Sequence, residues 1–591
     1  MIPGRTGESM FESIDRETEL ELVDAIDRDR LTDHVDRLAE LTRHSGSEEE
    51  QAGTDYVVEQ LREYGVDVEH GKYEAYVSDP DDAAVTVTAP TAWTVPEDEV
   101  ITVAFGAPTP PSGVHGEVIF VSDVTDEALA ERDLAGKIVF TLGLPTPGPV
   151  KKLADAGAKA AVFESPTEGH CHEMIVTPVW GTPGVKDEKW IPSLPVVEVS
   201  QSAGERLCDQ IDRGPVKAAV ETSVTTDRFN LSCPVGMIEG RESDRYYVIG
   251  NHVDSWHKGV TDNATGVAAT LELARVFAKQ NEPPRRGVLF GFWTAHSFGR
   301  YAGSTWFVDN HFPDLRENGL AYIHLDLNGL KGAEQLWYQH MAAIEDEHLD
   351  ALGAVPNLDI PEGAGKSSFL GDDRPGRNSD QSFWGAGMVS LLSGARFTPE
   401  TPEGGPVGGG WWWHTPEDIR DKVDPDVLVE ETKLYAALAS RICESPIPPF
   451  DHAKSAAAVI ETIDDLGLEH PILSNLRERA VELERTIAEA NRIADNRAAD
   501  PAVARATEEL QVKLGNRLVP ALYKARPDHR HDRALPQGRL PGIDAIGDPN
   551  ELSGRARLFT ETSLRREANR VKDLLRESRL IAVAFINEYE E

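Results

Sequence analysis

Between about residues 228 and 450, short apolar runs alternate with helical patterns, and this alternation constrains the fold more than any other feature of the chain. YYVIGNH and RRGVLFGFW have the pattern of buried strands, whereas TGVAATLELARVFAKQ has apolar residues at helical spacing. Strands that alternate with helices predict an α/β fold, with a mainly parallel mixed sheet and helices on both faces. In such sheets, ligands bind outside the carboxyl ends of the strands.

Side chains of the types that bind metal ions follow these predicted strands. His252 and Asp254 end the first strand, and they share a face because positions i and i+2 of an extended chain point the same way. The further candidates are Asp262 before a helix, His296 after GVLFGFW, Asp326 after AYIHL, and His414 in WWWHTPED. We expect all of them at one edge of one sheet.

Metal chemistry explains this choice of residues. Zinc binds imidazole nitrogen and carboxylate oxygen, and one carboxylate can bridge two ions. Two such ions polarise a carbonyl group and lower the pKa of a shared water molecule. A carboxylate such as Asp254 would fix the tautomer and orientation of His252. Each residue alone also has a structural explanation, since Asp326 could simply end a strand, but their order and shared placement favour one or two zinc ions.

The rest of the chain suggests three domains. We expect an α/β domain built from residues 1–109 and 228–450, a β-rich insertion at 110–227 after the Pro/Gly-rich PTPPSG, and a helical domain at 451–591 after PIPPFD. In the first segment, VDVEHGKYEAYVS predicts a strand that DPDD ends, and AVTVTAP predicts another strand.

The charge balance restricts partners and surroundings. The chain has 101 Asp and Glu against 59 Lys and Arg, a net charge of −42, and the acids are spread along its whole length. Such a surface favours a salt-adapted, halophilic cytoplasm and argues against nucleic acid as a partner, because phosphates would be repelled. The first residues lack the apolar core of a signal peptide, and no run of about 18 apolar residues occurs, so we expect a cytoplasmic protein without a membrane segment.

Several motifs together resemble one protein family. GNHVDSWHKGVTDNATGVAATLELARVF resembles the metal-binding segment of the co-catalytic zinc aminopeptidases, in the branch of glutamate carboxypeptidase II and the transferrin receptor. HTPEDIRDKVDPD resembles the segment around that family's last histidine, and NSDQSFWGAGMVSLL resembles the stretch between. The segment 110–227 resembles the protease-associated domain of this branch, and the helical C-terminal part resembles its dimerisation domain. The resemblance implies a homodimer, although the amphipathic helices could also pack within one chain.

The resemblance also implies roles for single residues. His252, Asp262 and Asp326 would hold a first zinc ion, and Asp262 would bridge to a second ion bound by His414. The family has two adjacent glutamates where this chain has His296 and Ser297. The first glutamate is the general base and the second is a ligand of the second ion.

His296 leaves three alternatives open. Histidine can act as the base, it can replace the lost ligand and leave the site without a base, or the site can hold one ion only. A second departure lies at Trp413, where this branch often has a tyrosine that can donate a hydrogen bond to the tetrahedral intermediate.

Three functions therefore remain. The first is a metal-dependent exopeptidase or amidohydrolase that acts on peptides or small amides through a zinc-activated water. The second is a non-catalytic binding or scaffold dimer, because the transferrin receptor shows that this architecture can lack peptidase activity. The third is an acyl-transfer or cyclising enzyme that uses the same metal.

Other ligand-type residues have two interpretations each. His170-Cys171-His172-Glu173, in the insertion, is either a surface loop or a segment from which His172 or Glu173 reaches the cleft. His257 and His324 are expected near the metal site in supporting or structural roles rather than as ligands.

Substrate selection is expected to depend on the loops at 356–410 and on the insertion. Trp411, Trp412 and Trp413 either anchor a flexible Gly-rich loop or wall a specificity pocket. Arg374 and Arg377 either bind a substrate carboxylate or form local ion pairs.

Overall fold

A computed structural model describes residues 16–130, 132–333, 335–354, 379–398 and 401–590. Arg374 and Arg377 lie outside the described residues, as do many of the predicted specificity loops.

The strands are β1 (Asp67–Ala89), β2 (Trp93–Thr94), β3 (Val100–Thr102), β4 (Val114–Val121), β5 (Ile138–Leu142), β6 (Ala160–Glu164), β7 (Val196–Val199), β8 (Val216–Ile238), β9 (Ser243–His252), β10 (Arg286–Trp293), β11 (Gly319–His324), β12 (Gln335–His340) and β13 (Val389–Arg396). The α-helices are α1 (Arg16–Asp24), α2 (Arg28–Ala39), α3 (Glu48–Tyr64), α4 (Asp126–Ala130), α5 (Pro147–Asp155), α6 (Gln201–Ile211), α7 (Thr265–Ala278), α8 (Ala302–Asn318), α9 (Glu345–Ala354), α10 (Pro425–Glu444), α11 (His452–Asp465), α12 (Pro471–Asn496), α13 (Pro501–Tyr523), α14 (Pro541–Asp544) and α15 (Gly554–Tyr589).

The strands form one mixed sheet, in which eleven strands follow the order β12-β13-β11-β9-β10-β8-β4-β5-β6-β7-β3, β1 pairs with β8, and β2 pairs with β1. Its centre is parallel, because β9 pairs in parallel with both β10 and β11, and β11 pairs in parallel with β13. The edge strand β12 and the long strand β8 run antiparallel to their neighbours. The predicted α/β fold with a mainly parallel mixed sheet is confirmed.

Strand β10 explains why the centre of this sheet is buried on both faces. All eight of its residues are buried, and alternate side chains enter different apolar clusters. Val288 and Phe290 pack into the cluster that contains helix α7, whereas Leu289 and Trp293 pack into the cluster on the other face. Helices cover both faces, which is the condition that parallel sheets require.

The insertion is joined to the central sheet by two long strands. β1 and β8 pair antiparallel along nearly their whole length, and β8 contacts β10 at one end and β4 at the other. β3 lies within the predicted first segment 1–109, yet it pairs with β7 of the insertion. The predicted domain boundaries stay a prediction, since the sheet continues from one unit into the other.

The predicted break at DPDD is wrong. β1 continues through this segment, and its pairing with β8 only shifts register between Pro80 and Ala83. Such a shift is a β-bulge, which absorbs extra residues without ending the ladder. Pairing with a long partner strand therefore overrides the local preference of Asp and Pro for turns.

The C-terminal part is helical, as predicted. α12, α13 and α15 pack their apolar stripes against one another, which buries Leu476, Leu518 and Val571 completely. Within the residues that the structure describes, no helix is both long and apolar enough to cross a membrane.

Candidate metal centre

The carboxyl ends of β9, β10 and β11 bring the predicted residues to one edge of the sheet. His252 is the last residue of β9 and pairs with Trp293, the last residue of β10. His296 follows β10 three residues later, and Asp326 follows β11 by two residues. The parallel pairing of these strands places all three side chains together, as the sequence predicts.

Asp262 lies between two histidines. Its Oδ1 is 3.0 Å from His252 Nε2, and its Oδ2 is 3.1 Å from His414 Nε2. Asp326 Oδ1 lies 3.5 Å from the same nitrogen of His252. One carboxylate thus faces both halves of the site, which is the arrangement a bridging ligand needs.

His296 joins this group. Its ring stacks on His252 with 3.9 Å between ring centroids and 13° between planes. Ligand atoms of His252, His296 and Asp326 all lie within 4.8 Å of one another. The histidine that replaces the family's glutamate is therefore close enough to share an ion with two of the predicted ligands.

Asp254 contacts His252 differently from the prediction. The main-chain oxygen of Asp254, at 2.8 Å, accepts the bond from His252 Nδ1, while its carboxylate Oδ1 is 3.8 Å from that nitrogen. The carboxylate instead accepts hydrogen bonds from the main-chain N–H groups of His296 and Ser297 and from the Ser45 hydroxyl. Asp254 therefore orients His252 through its backbone and holds the His296 turn through its side chain.

The donor atoms fit a cation. Because His252 Nδ1 donates to a carbonyl oxygen, the neutral ring carries a lone pair on Nε2. His252 Nε2 and Asp326 Oδ1 are buried and lack hydrogen-bond partners among the described residues. A divalent ion between them would satisfy both atoms.

The titration of these groups leads to the same conclusion. Burial alone would lower the pKa of His252, but the carboxylates of Asp326 and Asp262 raise it well above its ordinary value. Burial would raise the pKa of Asp326, yet the contact with His252 lowers it well below its usual range. Burial lowers the pKa of His296 well below the ordinary value, and His252 lowers it further. The two aspartates thus favour positive charge at His252, while His296 stays a neutral imidazole.

His324 supports Asp326, as the sequence interpretation expects. Trp293 Nε1 donates to the Tyr322 hydroxyl at 2.9 Å, and that hydroxyl lies 3.0 Å from His324 Nδ1. The hydroxyl oxygen accepts from the indole, and its contact with Nδ1 holds the His324 ring in place. His324 Nε2 faces Asp326 Oδ2 at 3.3 Å. Gly250 makes room for this chain, since a Cβ there would lie 2.4 Å from the tyrosine oxygen.

Asp418 and Arg43 contribute to the site, and the sequence interpretation missed both. The buried Asp418 carboxylate accepts bonds from the main-chain N–H groups of Thr261 and Asp262. Burial raises the pKa of Asp418 to about 7. The fully buried Arg43 guanidinium donates to the carbonyls of Val253 and Gly259. Asp418 lies four residues after His414, a spacing that could have drawn attention to it, whereas no local pattern marks Arg43.

The insertion reaches the metal centre through its segment 170–173. Glu173 donates its main-chain N–H to the His414 carbonyl at 2.9 Å, and its own carbonyl lies 2.5 Å from His414 Nδ1. The Glu173 carboxylate lies 3.5 Å from His257 Nε2. The alternative of a plain surface loop is therefore wrong, because the buried His172 and the partly buried Glu173 contact the loop that carries His414.

The three tryptophans serve different purposes. Trp412 is buried against Leu330 and Phe397, and it anchors the loop. Trp411 stacks on His170 at 4.9 Å and lines a cavity of about 620 Å³ between the insertion and the Gly-rich loop. The anchor interpretation is confirmed for Trp412, whereas the specificity pocket stays a prediction.

These strand ends, carboxylates and histidines form a candidate metal centre at the edge of an α/β sheet. Residues 235–439 match the sequence profile of Peptidase family M28, a range that contains His252, Asp262, His296, Asp326 and His414. These residues therefore form a domain of that family.

Three relatives show the extent of the likeness. The chain is 26% identical over 329 residues to the probable glutamate carboxypeptidase VP8 of Zea mays, across 46% of each chain. It is 31% identical over 162 residues to transferrin receptor protein 1 of Gallus gallus, across 23% of this chain and 21% of the receptor. The structure of BSAP, a zinc aminopeptidase from Bacillus subtilis, is 19% identical, with a TM-score of 0.53 over 71% of this chain and 96% of that one.

These likenesses have different scope. The alignments span less than half the length of either curated relative, and the similarity to the Bacillus structure concerns the fold alone. The branch expected from the sequence, with glutamate carboxypeptidase and transferrin receptor, is confirmed.

Proposed function

We propose that the chain is a zinc-dependent exopeptidase or amidohydrolase that cleaves peptides or small amides. The observation that carries this proposal is the convergence of ligand atoms from His252, His296 and Asp326 within 4.8 Å, beside Asp262 and His414. A zinc ion held there would supply Lewis acidity to a carbonyl oxygen and make a water molecule more acidic.

His296 is assigned to metal binding in this proposal. Its distance to His252 and Asp326 supports the assignment, and the Asp254 carboxylate holds its main chain in place. Ser297 is uncharged, so the pair that replaces the two glutamates contains no carboxylate. That replacement is the observation that favours the alternatives, a non-catalytic binding protein or a cyclising enzyme that uses the same metal.

The test combines metal content with turnover. Protein purified in high salt is analysed for zinc and assayed on aminoacyl amides, peptides and an N-terminal glutaminyl substrate. His296→Ala is compared with wild type and with His115→Ala, which removes an exposed histidine far from the site. We expect His296→Ala to lose one zinc equivalent and all hydrolysis, and His115→Ala to lose neither.

Each other outcome is informative. Zinc retained with hydrolysis abolished would make His296 the base and contradict its assignment as a ligand. Cyclisation of the glutaminyl substrate without peptide cleavage would favour the cyclising enzyme. A wild-type protein without zinc or turnover would overturn the enzyme proposal and leave the binding protein.

We also propose that α15 mediates a homodimer. Leu558, Phe559 and Leu580 on this helix are 61%, 57% and 54% exposed, although the rest of its apolar stripe packs within the chain. Burying such side chains stabilises an interface by about 1.5–3 kcal/mol each. Phe559→Glu should convert dimers to monomers in light scattering, with the exposed Ser563→Ala as control, and a monomeric wild type would contradict the proposal.

We propose a salt-rich cytoplasm as the working environment. The support is the net charge of −42, whose self-repulsion salt would screen. The thermal midpoint should therefore rise with KCl, and a midpoint that is independent of salt would contradict this environment.

A further inference from the structure

The histidine of the second metal position depends on residues of the insertion. Neutral imidazole carries its proton on only one nitrogen, and the hydrogen bond of that nitrogen decides which one remains for a ligand. His414 Nδ1 faces the Glu173 carbonyl at 2.5 Å. Because a carbonyl oxygen only accepts, Nδ1 carries the proton, and Nε2, which lies 3.1 Å from Asp262 Oδ2, is the nitrogen left to bind an ion.

Glu173 is itself held by its neighbour His172. The His172 side chain is fully buried, and its Nδ1 lies 2.6 Å from the Trp413 carbonyl. The Thr167 hydroxyl lies 2.7 Å from its Nε2, so Nδ1 donates to the carbonyl and Nε2 accepts from the hydroxyl. The main-chain N–H of His172 faces Glu198 Oε1 at 3.3 Å, which ties the segment to strand β7.

Residues 172–173 and 413–414 thus form a clamp across the boundary between the insertion and the metal centre. The clamp consists of the His172–Trp413 bond and the two bonds between Glu173 and His414. His414 has φ of 59°, in the left-handed region, which costs a residue with a side chain roughly 1–3 kcal/mol. Contacts that hold this conformation must come from tertiary structure, and the clamp supplies them.

We propose that His172 is a positioning residue: its bond to the Trp413 carbonyl keeps the clamp closed and so presents His414 Nε2 to the second metal position. The inference rests on the proposed function, because it concerns the ion that this function requires. It makes the insertion part of the metal centre through its hydrogen bonds to the loop that carries His414. His252 and Asp326, which extend from the sheet, are independent of the clamp.

Two substitutions separate positioning from simple packing. The amide nitrogen of Asn is as many bonds from Cα as His Nδ1, whereas the amide nitrogen of Gln is as many as Nε2. His172→Asn therefore retains a donor for the Trp413 carbonyl, and His172→Gln retains only the contact with Thr167. A packing role would make both variants similarly harmful, or would favour the larger Gln.

The first readout is zinc affinity, measured by chelator competition on the full chain. We expect His172→Gln to lower the affinity for the second ion by about 10–100-fold, which is the usual effect of losing a residue that orients a metal ligand. His172→Asn should stay within about threefold of wild type, and the first ion should be unaffected in both. Equal losses in the two variants, or equal losses of both ions, would overturn the inference.

The second readout needs no metal. The nitrogen chemical shifts of ¹⁵N-labelled histidine report the tautomer of His414, assigned with a His414→Gln variant. Metal-free wild type and His172→Asn should show protonated Nδ1, while His172→Gln should show a mixture of tautomers. A wild type in which Nε2 is protonated and Nδ1 is not would overturn the inference. A wild type that binds no zinc but shows the expected tautomers would contradict the proposed function alone.

Discussion

The two halves of the candidate metal centre are held by different parts of the fold. His252, His296 and Asp326 lie at the carboxyl ends of neighbouring parallel strands, and the strand pairing and buried side chains of the sheet fix their positions. His414 lies on a loop after β13 in a left-handed conformation, and hydrogen bonds from segment 172–173 of the insertion hold this loop. The first half depends on one sheet, and the second on the contact between two units.

The difference indicates where the site tolerates change. A sheet with both faces buried opens only when much of the domain unfolds, whereas a contact between units opens locally at lower cost. We therefore expect the first ion to be bound in all native molecules. Occupancy of the second position should follow the docking of the insertion.

Removal of one ligand from each half should give the largest effect. We expect His252→Ala to abolish binding of both ions, because Asp262 then loses its fixed neighbour, and His414→Ala to leave one ion. Hydrolysis by His252→Ala should fall by more than about 100-fold, because loss of a residue that only orients a ligand already costs up to that much. Zinc analysis after dialysis measures the number of ions bound per chain, with His115→Ala as control. Identical losses in His252→Ala and His414→Ala would contradict the distinction between the two halves.

Asp254→Asn should give an intermediate effect confined to the strand-held half. The carboxylate accepts from the N–H groups of His296 and Ser297, and an amide would place a donor against one of them. We expect affinity for the first ion to fall by about 10–100-fold. Chelator competition measures this, with the exposed Asp123→Asn as control, and a selective loss of the second ion would contradict the assignment.

Acid should give the smallest effect, and it should act on the clamp. Burial lowers the pKa of His172 from 6.5 to about 4. A lowered folded-state pKa means that the stabilisation is fully present above pH 6.5 and is lost as the pH falls toward 4. Between pH 6.5 and about 5, the metal-free wild type should lose roughly 2 kcal/mol more unfolding free energy than His172→Asn.

Denaturant unfolding at both pH values measures this difference. Burial raises the pKa of the neighbouring Glu198 well above its ordinary range, so Glu198 makes the unfolding free energy rise as the pH falls. Wild type and His172→Asn share this contribution, and it cancels in the difference between them. Equal acid sensitivity in wild type and variant would show that His172 is solvated, and that the clamp is open in solution.

The residues of the strand-held half could be predicted from the sequence because local patterns determine where strands end and which way their side chains point. A strand alternates its side chains, and parallel strands end at the same edge, so the positions of His252, Asp262, His296 and Asp326 follow from short patterns. The fold class follows from the same alternation of strands and helices. The break expected at DPDD failed because a long partner strand, remote in sequence, decided the conformation of β1.

In the other half, the sequence indicated His414 as a ligand, but only the tertiary structure decided what holds it. His172 and Trp413 are 241 residues apart, and nothing in either segment marks the other as its partner. The contacts of Asp254, Asp418 and Arg43 with main-chain atoms are equally invisible, because backbone groups are the same at every residue. Residue types and their order determined which side chains could bind a metal ion. The packing of the insertion against the sheet decided the tautomer and conformation of His414, because hydrogen bonds between distant segments form only in the folded chain.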